Sequence, residues 1–276
     1  MPAVSIILPS FDRLAYLRAA VASVFEQSCE DWELVIADDG SGRETREFLH
    51  ELARRPRVRL LLLPHSGNPP AVRNRALALA TGSYCAFLDS DDLWAPDKLA
   101  RQLAALRTAP AALWSDTGFQ FVDAQLQPLG AAPASARAAS ATAASALAQG
   151  SLAAALLDGR RIIVQSSVMV SRTLLEQLGG YDERLPVCGD YELWVRLALS
   201  CEIRHLPEAL VRVRRHGQYY ASDVAACRDF TRALAQLKAL IEPPELKAIL
   251  RRRAARARVV LVRARLRAAV RSLRRA

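Results

Sequence analysis

The stretch FLDSDDLW, residues 87–94, carries an apolar run into three carboxylates within four positions, Asp89, Asp91 and Asp92. Acids this close repel one another and are costly to desolvate together, so the pattern calls for a bound cation among them. The rival reading is a solvated turn, with Asp92 capping the helix that follows. Two further acids, Asp38 and Asp39, close WELVIADD (32–39), and Asp12 stands just beyond VSIILPS (4–10). A lone acid, Asp190, opens the segment GDYELWVRLALS (189–200). There it either faces a cleft or satisfies the helix dipole.

The elements that must position these acids follow from hydrophobic spacing. VSIILPS, WELVIADD, RVRLLLL (57–63) and SYCAFLD (83–89) are apolar runs of strand length. Between them lie helical patterns: Leu14, Leu17, Val21, Val24 and Phe25 behind Asp12 as a candidate N-cap, then RETREFLHELARR (43–55). Pro69 and Pro70 open a third helix to about Ala80, and Pro96 a fourth to about Arg107. Strands apolar throughout and separated by helices predict a parallel sheet covered on both faces. Ligands in such sheets bind beyond the carboxyl ends of the strands. The acidic ends of the first, second and fourth strands would therefore meet at one crevice, an arrangement that stability alone does not explain.

Residues 130–155 are rich in Ala and Ser and predict a variable connection or weak helix. Order returns at RIIVQSSVMVSR (161–172), and Leu193, Trp194, Leu197 and Ala198 form an apolar helix face. EIRHLPEALVRVRRHG (202–217) predicts a hairpin or edge strands, and the chain is helical from 223 on. Trp94 and Trp194 read as core. Five scattered cysteines with no CxxC pair predict reduced, cytoplasmic thiols and no zinc site. No run of about 18 apolar residues predicts a membrane span, and the N-terminus lacks the basic leader of a secretory signal. The two common nucleotide signatures, GxGxxG after the first strand and GxxxxGK[ST], are absent.

The formal charge of +10 is uneven. From Lys238 onward there are 13 Lys and Arg against two acids, which leaves residues 1–237 at −1. The basic segment reads either as a solvated helical face on its own domain or as an amphipathic element resting on an anionic membrane surface. Nucleic-acid binding is the weakest reading, because no aromatic residue interleaves the arginines after Phe230.

Six blocks in order carry a family likeness. They are VSIILPSFDRLAYLRAAVASVFEQS, WELVIADDGSG, VRNRALALATGSYCAFLDSDDLWAPDKL, SSVMVSRTLLEQLGGYDERL, GDYELWVRLA and RVRRHGQ. Over about residues 3–220 the chain resembles a family 2 glycosyltransferase of the GT-A fold. The resemblance implies a Rossmann-like, mixed but mostly parallel sheet flanked by helices over residues 1–222, with a helical, arginine-rich extension over 223–276. It implies inverting transfer of a sugar from a nucleoside diphosphate donor, by family tendency UDP, to a glycan or lipid-linked acceptor in polysaccharide assembly. Position by position, Pro9, Phe11 and Asp39 are similar to the base-binding group, with Phe11 flanking the base and Asp39 accepting a ring N–H. Arg73 corresponds to the family's nucleotide-contacting arginine, with Ser90 in the same site. Asp89 matches the first acid of the DxD, near ribose and metal, and Asp91 the metal ligand. Asp190 matches the catalytic base. His216, with Arg214 and Arg215, resembles the loop that closes over the diphosphate, and Glu183 borders the acceptor pocket. Two departures stand out: Gly189 where many members carry Glu or Gln, and one extra residue between His216 and the following serine.

The chemistry agrees with these residue types. A diphosphate leaving group gains negative charge, and Mg²⁺ or Mn²⁺ held by one or two carboxylates offsets it. An acceptor hydroxyl needs a base, and one acid on a separate segment, Asp190, fits. The competing expectations are a catalytically silent nucleotide-sugar-binding protein and a nucleic-acid-binding adaptor acting through the basic segment. The setting expected for the enzyme is cytoplasmic, peripheral at the inner face of the membrane.

Overall fold

The computed structural model describes residues 2–130, 151–216 and 223–273. Strand β1 (Val4–Ser10) is buried at six of its seven positions and β2 (Trp32–Asp38) at all seven. That two-sided burial is why both read as unbroken apolar runs. β1 pairs in parallel with β2 and with β4 (Tyr84–Phe87), and β2 pairs in parallel with β3 (Val58–Leu62). Beyond β4 the sheet changes direction. β7 (Met169–Ser171) is antiparallel to both β4 and β6 (Ala112–Val122). β8 (Glu202–Arg214) then runs parallel to β6, and the two-residue β5 (Leu93–Trp94) closes the edge antiparallel to β8. The sheet has eight strands, in the order β3-β2-β1-β4-β7-β6-β8-β5.

Helices cover both faces. One core gathers α1 (Leu14–Phe25), α2 (Arg43–Leu52) and α4 (Lys98–Arg107) through Leu17, Val21, Leu49 and Leu103. The other gathers α3 (Pro69–Leu77), α5 (Ser151–Asp158), α6 (Arg172–Gln177) and α7 (Gly189–Ser200) around the stacked Trp114 and Trp194. Two more helices, α8 (Asp223–Leu237) and α9 (Pro244–Leu273), add Leu234, Leu237, Leu246, Leu250 and Ala257 to that second core, and the connection between them adds Ile241. Both Trp94 and Trp194 are buried, as expected of core residues.

Three local expectations are corrected. Asp12 does not cap α1. Arg13 holds the N-cap position in a left-handed conformation, and the Asp12 carboxylate accepts the Gly42 N–H at 2.8 Å. Asp92 caps no helix either. It is buried, accepting the Ser166 hydroxyl at 2.6 Å and the Arg214 N–H at 3.0 Å. Residues 202–214 form one strand, not a hairpin. Pro207 and Glu208 loop out of register between Thr117↔Leu206 and Gly118↔Ala209. The bulge presses on β6, where a Cβ on Gly118 would lie 2.4 Å from the Pro207 carbonyl oxygen. Residues 131–150 of the Ala/Ser-rich segment lie outside the described residues.

Candidate active site

The carboxyl ends of β1, β2, β3 and β4 open on one cavity of about 350 Å³. β1 and the residues after it supply Pro9, Ser10, Phe11 and Arg13, β2 is followed by Asp39, and β3 by His65 and Gly67. Pro69, Val72 and Arg73 come from α3, and Asp89, Ser90 and Asp91 follow β4. The loops are shaped by the carboxylates themselves. Asp38 accepts the Ser10 hydroxyl at 2.8 Å and the Ser41 N–H at 2.9 Å, bracing the β1 and β2 ends together. Asp39 accepts the backbone N–H groups of Ser66 and Gly67 at 2.8 and 2.9 Å and the Ser66 hydroxyl at 2.8 Å. His65 Nδ1 also stands 3.2 Å from Asp39 Oδ2, a fourth polar neighbour on a carboxylate that offers about four acceptor sites. The same loop places His65 with its Nδ1 2.9 Å from the Asp39 carbonyl oxygen and its ring stacked on Phe11, centroids 4.2 Å apart.

A second group of wall residues is ionic. Arg73 meets the Asp89 carboxylate at 2.5 Å. Asp91 Oδ2 stands 3.0 Å from Arg13 Nη1 and 2.8 Å from His216 Nε2. The backbone behind it is fixed by Ser166, which accepts the Asp89 N–H at 3.0 Å, and by Arg214, whose Nε donates to the Asp91 carbonyl at 2.9 Å. The Arg214 guanidinium lies 4.4 Å over Tyr16 and donates to the Ala124 carbonyl, so it braces the acidic loop from behind.

Asp190 sits half-buried in the first turn of α7, its Oδ1 accepting the Tyr191 N–H at 2.7 Å. The start of α7 is held from two sides. Asp229 on α8 accepts the Val187 and Cys188 N–H groups, both at 2.8 Å, and Gly189 lies directly against Pro70 of α3. Glu183 is exposed and tied to α3, its carboxylate accepting from Asn74 at 2.9 Å and its carbonyl from Asn68 at 2.8 Å.

Burial pushes the Asp89 carboxyl above its ordinary range. The Arg73 guanidinium pulls it down and the Asp91 charge raises it again. Asp92 is pushed well up, by burial first and then by Asp89 and Asp91. Burial also raises Asp190, which the Tyr191 N–H and Arg73 hold down and the Asp89 charge pushes up. Asp190 thus lies within electrostatic reach of Arg73 and Asp89, although it does not line the cavity itself.

Of the residues singled out in the sequence, Pro9, Phe11, Asp39, Arg73, Asp89, Ser90 and Asp91 line one cavity. His216 and Arg214 reach Asp91 from the end of β8. Asp190 and Glu183 do not line that cavity; Glu183 is hydrogen-bonded to Asn74 of α3, and Gly189, next to Asp190, lies against Pro70 of the same helix. Six other wall residues were not singled out as site residues, among them Arg13 and His65. The strand-end rule that found Asp39 and Asp89 would have found His65, the third residue beyond β3. Residues 217–222, the rest of the segment read as a closing loop, lie outside the described residues.

Among the described residues no three His, Cys, Asp or Glu side chains stand close enough to hold a metal ion unaided. The donor set is two carboxylates, Asp89 and Asp91, on the cavity wall. Mg²⁺ or Mn²⁺ uses that number when phosphate and water oxygens complete an octahedron. The residues fit a divalent cation shared with a diphosphate.

Comparison with known proteins agrees with the geometry. Residues 5–127 match the family model for glycosyl transferase family 2. The putative teichuronic acid biosynthesis glycosyltransferase TuaG of Bacillus subtilis is 38% identical over 129 residues, 46% of this chain and 51% of that protein. WfgD of Escherichia coli, a UDP-Glc:alpha-D-GlcNAc-diphosphoundecaprenol beta-1,3-glucosyltransferase, is 38% identical over 103 residues, 37% of this chain and 40% of that one. The chain thus spans about half or less of these relatives. Among solved structures, the mannosyltransferase PcManGT of Pyrobaculum calidifontis, in complex with GDP-Man and Mn²⁺, superposes with a TM-score of 0.69 at 20% identity. That match covers 98% of this chain and 75% of that one. The fold is of the GT-A type, mostly parallel with flanking helices and a helical C-terminal region. Over residues 5–127, a little under half of the chain, the sequence is similar to glycosyl transferase family 2.

Proposed function

We propose that the protein is a metal-dependent, inverting glycosyltransferase that moves a sugar from a UDP-sugar to an acceptor hydroxyl in the assembly of a cell-surface polysaccharide. The observation that carries this reading is one cavity lined by Phe11 and Asp39 together with Arg73, Asp89 and Asp91. Asp190 lies within electrostatic reach of Arg73 and Asp89. Pro9 and Phe11 flank the base, and Asp39 accepts its ring N–H. Arg73 contacts the nucleotide, Ser90 lines the same wall, and Asp89 faces ribose and metal.

Asp89 and Asp91 hold Mg²⁺ or Mn²⁺, which when bound offsets charge on the diphosphate leaving group. His216 reaches Asp91, while Arg214 acts through the loop it braces. Asp190 takes the proton from the acceptor hydroxyl as the new bond forms, a contribution of about 10²–10⁴-fold for a general base. Its raised carboxyl favours that role, because a base held above the ordinary range binds the proton more readily. Glu183 borders the acceptor side. The polysaccharide assignment and the lipid-linked acceptor class draw support from the names of TuaG and WfgD, and the metal from the Mn²⁺ of PcManGT.

Thermal-shift screening of nucleoside diphosphates and their sugars, with and without Mn²⁺, followed by UDP-release assays on candidate acceptors, tests the reading. UDP binding that needs no metal, or binding without turnover on any donor and acceptor, would count against it.

A further inference from the structure

Helix α9 has two unlike faces. Leu246, Leu250, Ala257 and Ala264 are buried along one side. On the opposite side Val259, Val262 and Leu266 are 51%, 54% and 61% exposed. At about 100° per residue these three fall within an arc of about 60°. Exposed arginines border that arc on both edges. Arg251, Arg258 and Arg265 follow one edge at heptad spacing, and Arg252, Arg256, Arg263 and Arg267 the other. No carboxylate follows Glu245 anywhere in the chain. No helix among the described residues is long and apolar enough to cross a membrane.

We infer that this face of α9 docks on an anionic lipid bilayer, lying in the interface and not spanning it. An aliphatic stripe between two rows of arginine has few partners that satisfy all three rows. A second copy packed on the stripe would bring arginine rows against arginine rows, with no acid on α9 after Glu245 to separate them. A nucleic acid would satisfy the arginines and press Val259, Val262 and Leu266 against phosphates. An anionic bilayer takes the stripe into the acyl boundary while the arginine stems carry their heads up to lipid phosphates. The inference does not depend on the transfer reaction.

Flotation of the full chain tests it, with vesicles of phosphatidylcholine plus phosphatidylglycerol against phosphatidylcholine alone. The protein is expected to float with the mixed vesicles only, and to be released by salt. Replacing Arg258, Arg263 and Arg265 by Glu should cut partitioning about a hundredfold or more. A Val262→Ser, Leu266→Ser variant, with its charge unchanged, should lose it several-fold. Both changes lie on the exposed face, so circular dichroism and melting temperature should stay as in the parent. Failure to float, equal flotation on neutral vesicles, or an unaffected serine variant would overturn the inference. So would a dimer that the serine variant dissolves, which would give the face to a second copy. Duplex DNA that displaces the vesicles and binds the serine variant equally well would assign the arginines to nucleic acid instead.

Discussion

Pro70 Cγ lies 2.8 Å from the point that a Cβ on Gly189 would occupy. Helices α3 and α7 touch through a proline and a glycine, and the contact sets the spacing between Arg73, one turn along α3, and Asp190, one residue along α7. Many relatives are expected to carry Glu or Gln at the glycine position; here the proline ring fills that space. A side chain at 189 must therefore displace the start of α7. Gly189→Gln is expected to lower kcat about tenfold or more, as a displacement of about 1 Å from mutation can, while UDP affinity stays near normal. Pairing it with Pro70→Ala should restore part of the loss. Steady-state kinetics and calorimetric UDP titration decide this, and an unchanged kcat in the single variant would refute it.

The raised carboxyl of Asp190 gives a pH dependence with a definite sign. A base must be ionised, so kcat should fall as pH drops through the Asp190 pKa, which burial holds above the ordinary carboxylate value. Asp190→Asn should abolish turnover and keep donor binding. Near-normal turnover in that variant would remove the assignment.

Asp91→Ala should eliminate any Mn²⁺-dependent increase in melting temperature with UDP. A shift of undiminished size would place the metal elsewhere.

The Phe11–His65 stack extends the aromatic surface offered to a base. His65→Ala is expected to weaken UDP binding, since such ring contacts contribute about 0.5–1.5 kcal/mol. Isothermal titration checks it; equal affinity would confine His65 to bracing the loop.

Remote from the cavity, Arg161 meets Asp116 at 2.7 Å with His205 3.0 Å from the same carboxylate, all three buried. Burial pushes the Asp116 carboxyl up, and Arg161 with His205 more than offsets it, leaving the carboxyl below its ordinary range. A depressed carboxylate contributes stability above its unfolded pKa and loses it as pH falls through the folded value. Asp116→Asn, which strands a buried guanidinium, should cost about 3–5 kcal/mol at neutral pH. It should also flatten this part of the acid limb. Denaturant melts of both proteins across the acid range measure it; curves of equal steepness would show that the pair contributes no such linkage.

The first four strands were legible because parallel strands buried on both faces leave continuous apolar runs, and their ends located most of the cavity. Beyond residue 110 the signals weakened for physical reasons. Pro207 and Glu208 interrupt the strand pattern, and the missing side chain of Gly118 on the paired strand β6, far earlier in the chain, lets them stay within β8. Asp92 resembled a cap because it precedes a helix, yet its partners, Ser166 and Arg214, lie 74 and 122 residues away. Arg13 was missed because its left-handed position ahead of α1 follows from the Asp12–Gly42 contact, which no local pattern announces.

Asp229 ties down two amides at the mouth of α7, and six aliphatic residues from 234 to 257 seal the core beneath it. A fragment trimmed at residue 222 would shed that seal along with the arginines. Its reacting carboxylate would then stand on a frayed helix over an open greasy seam, so losing the tail and losing the chemistry become one event.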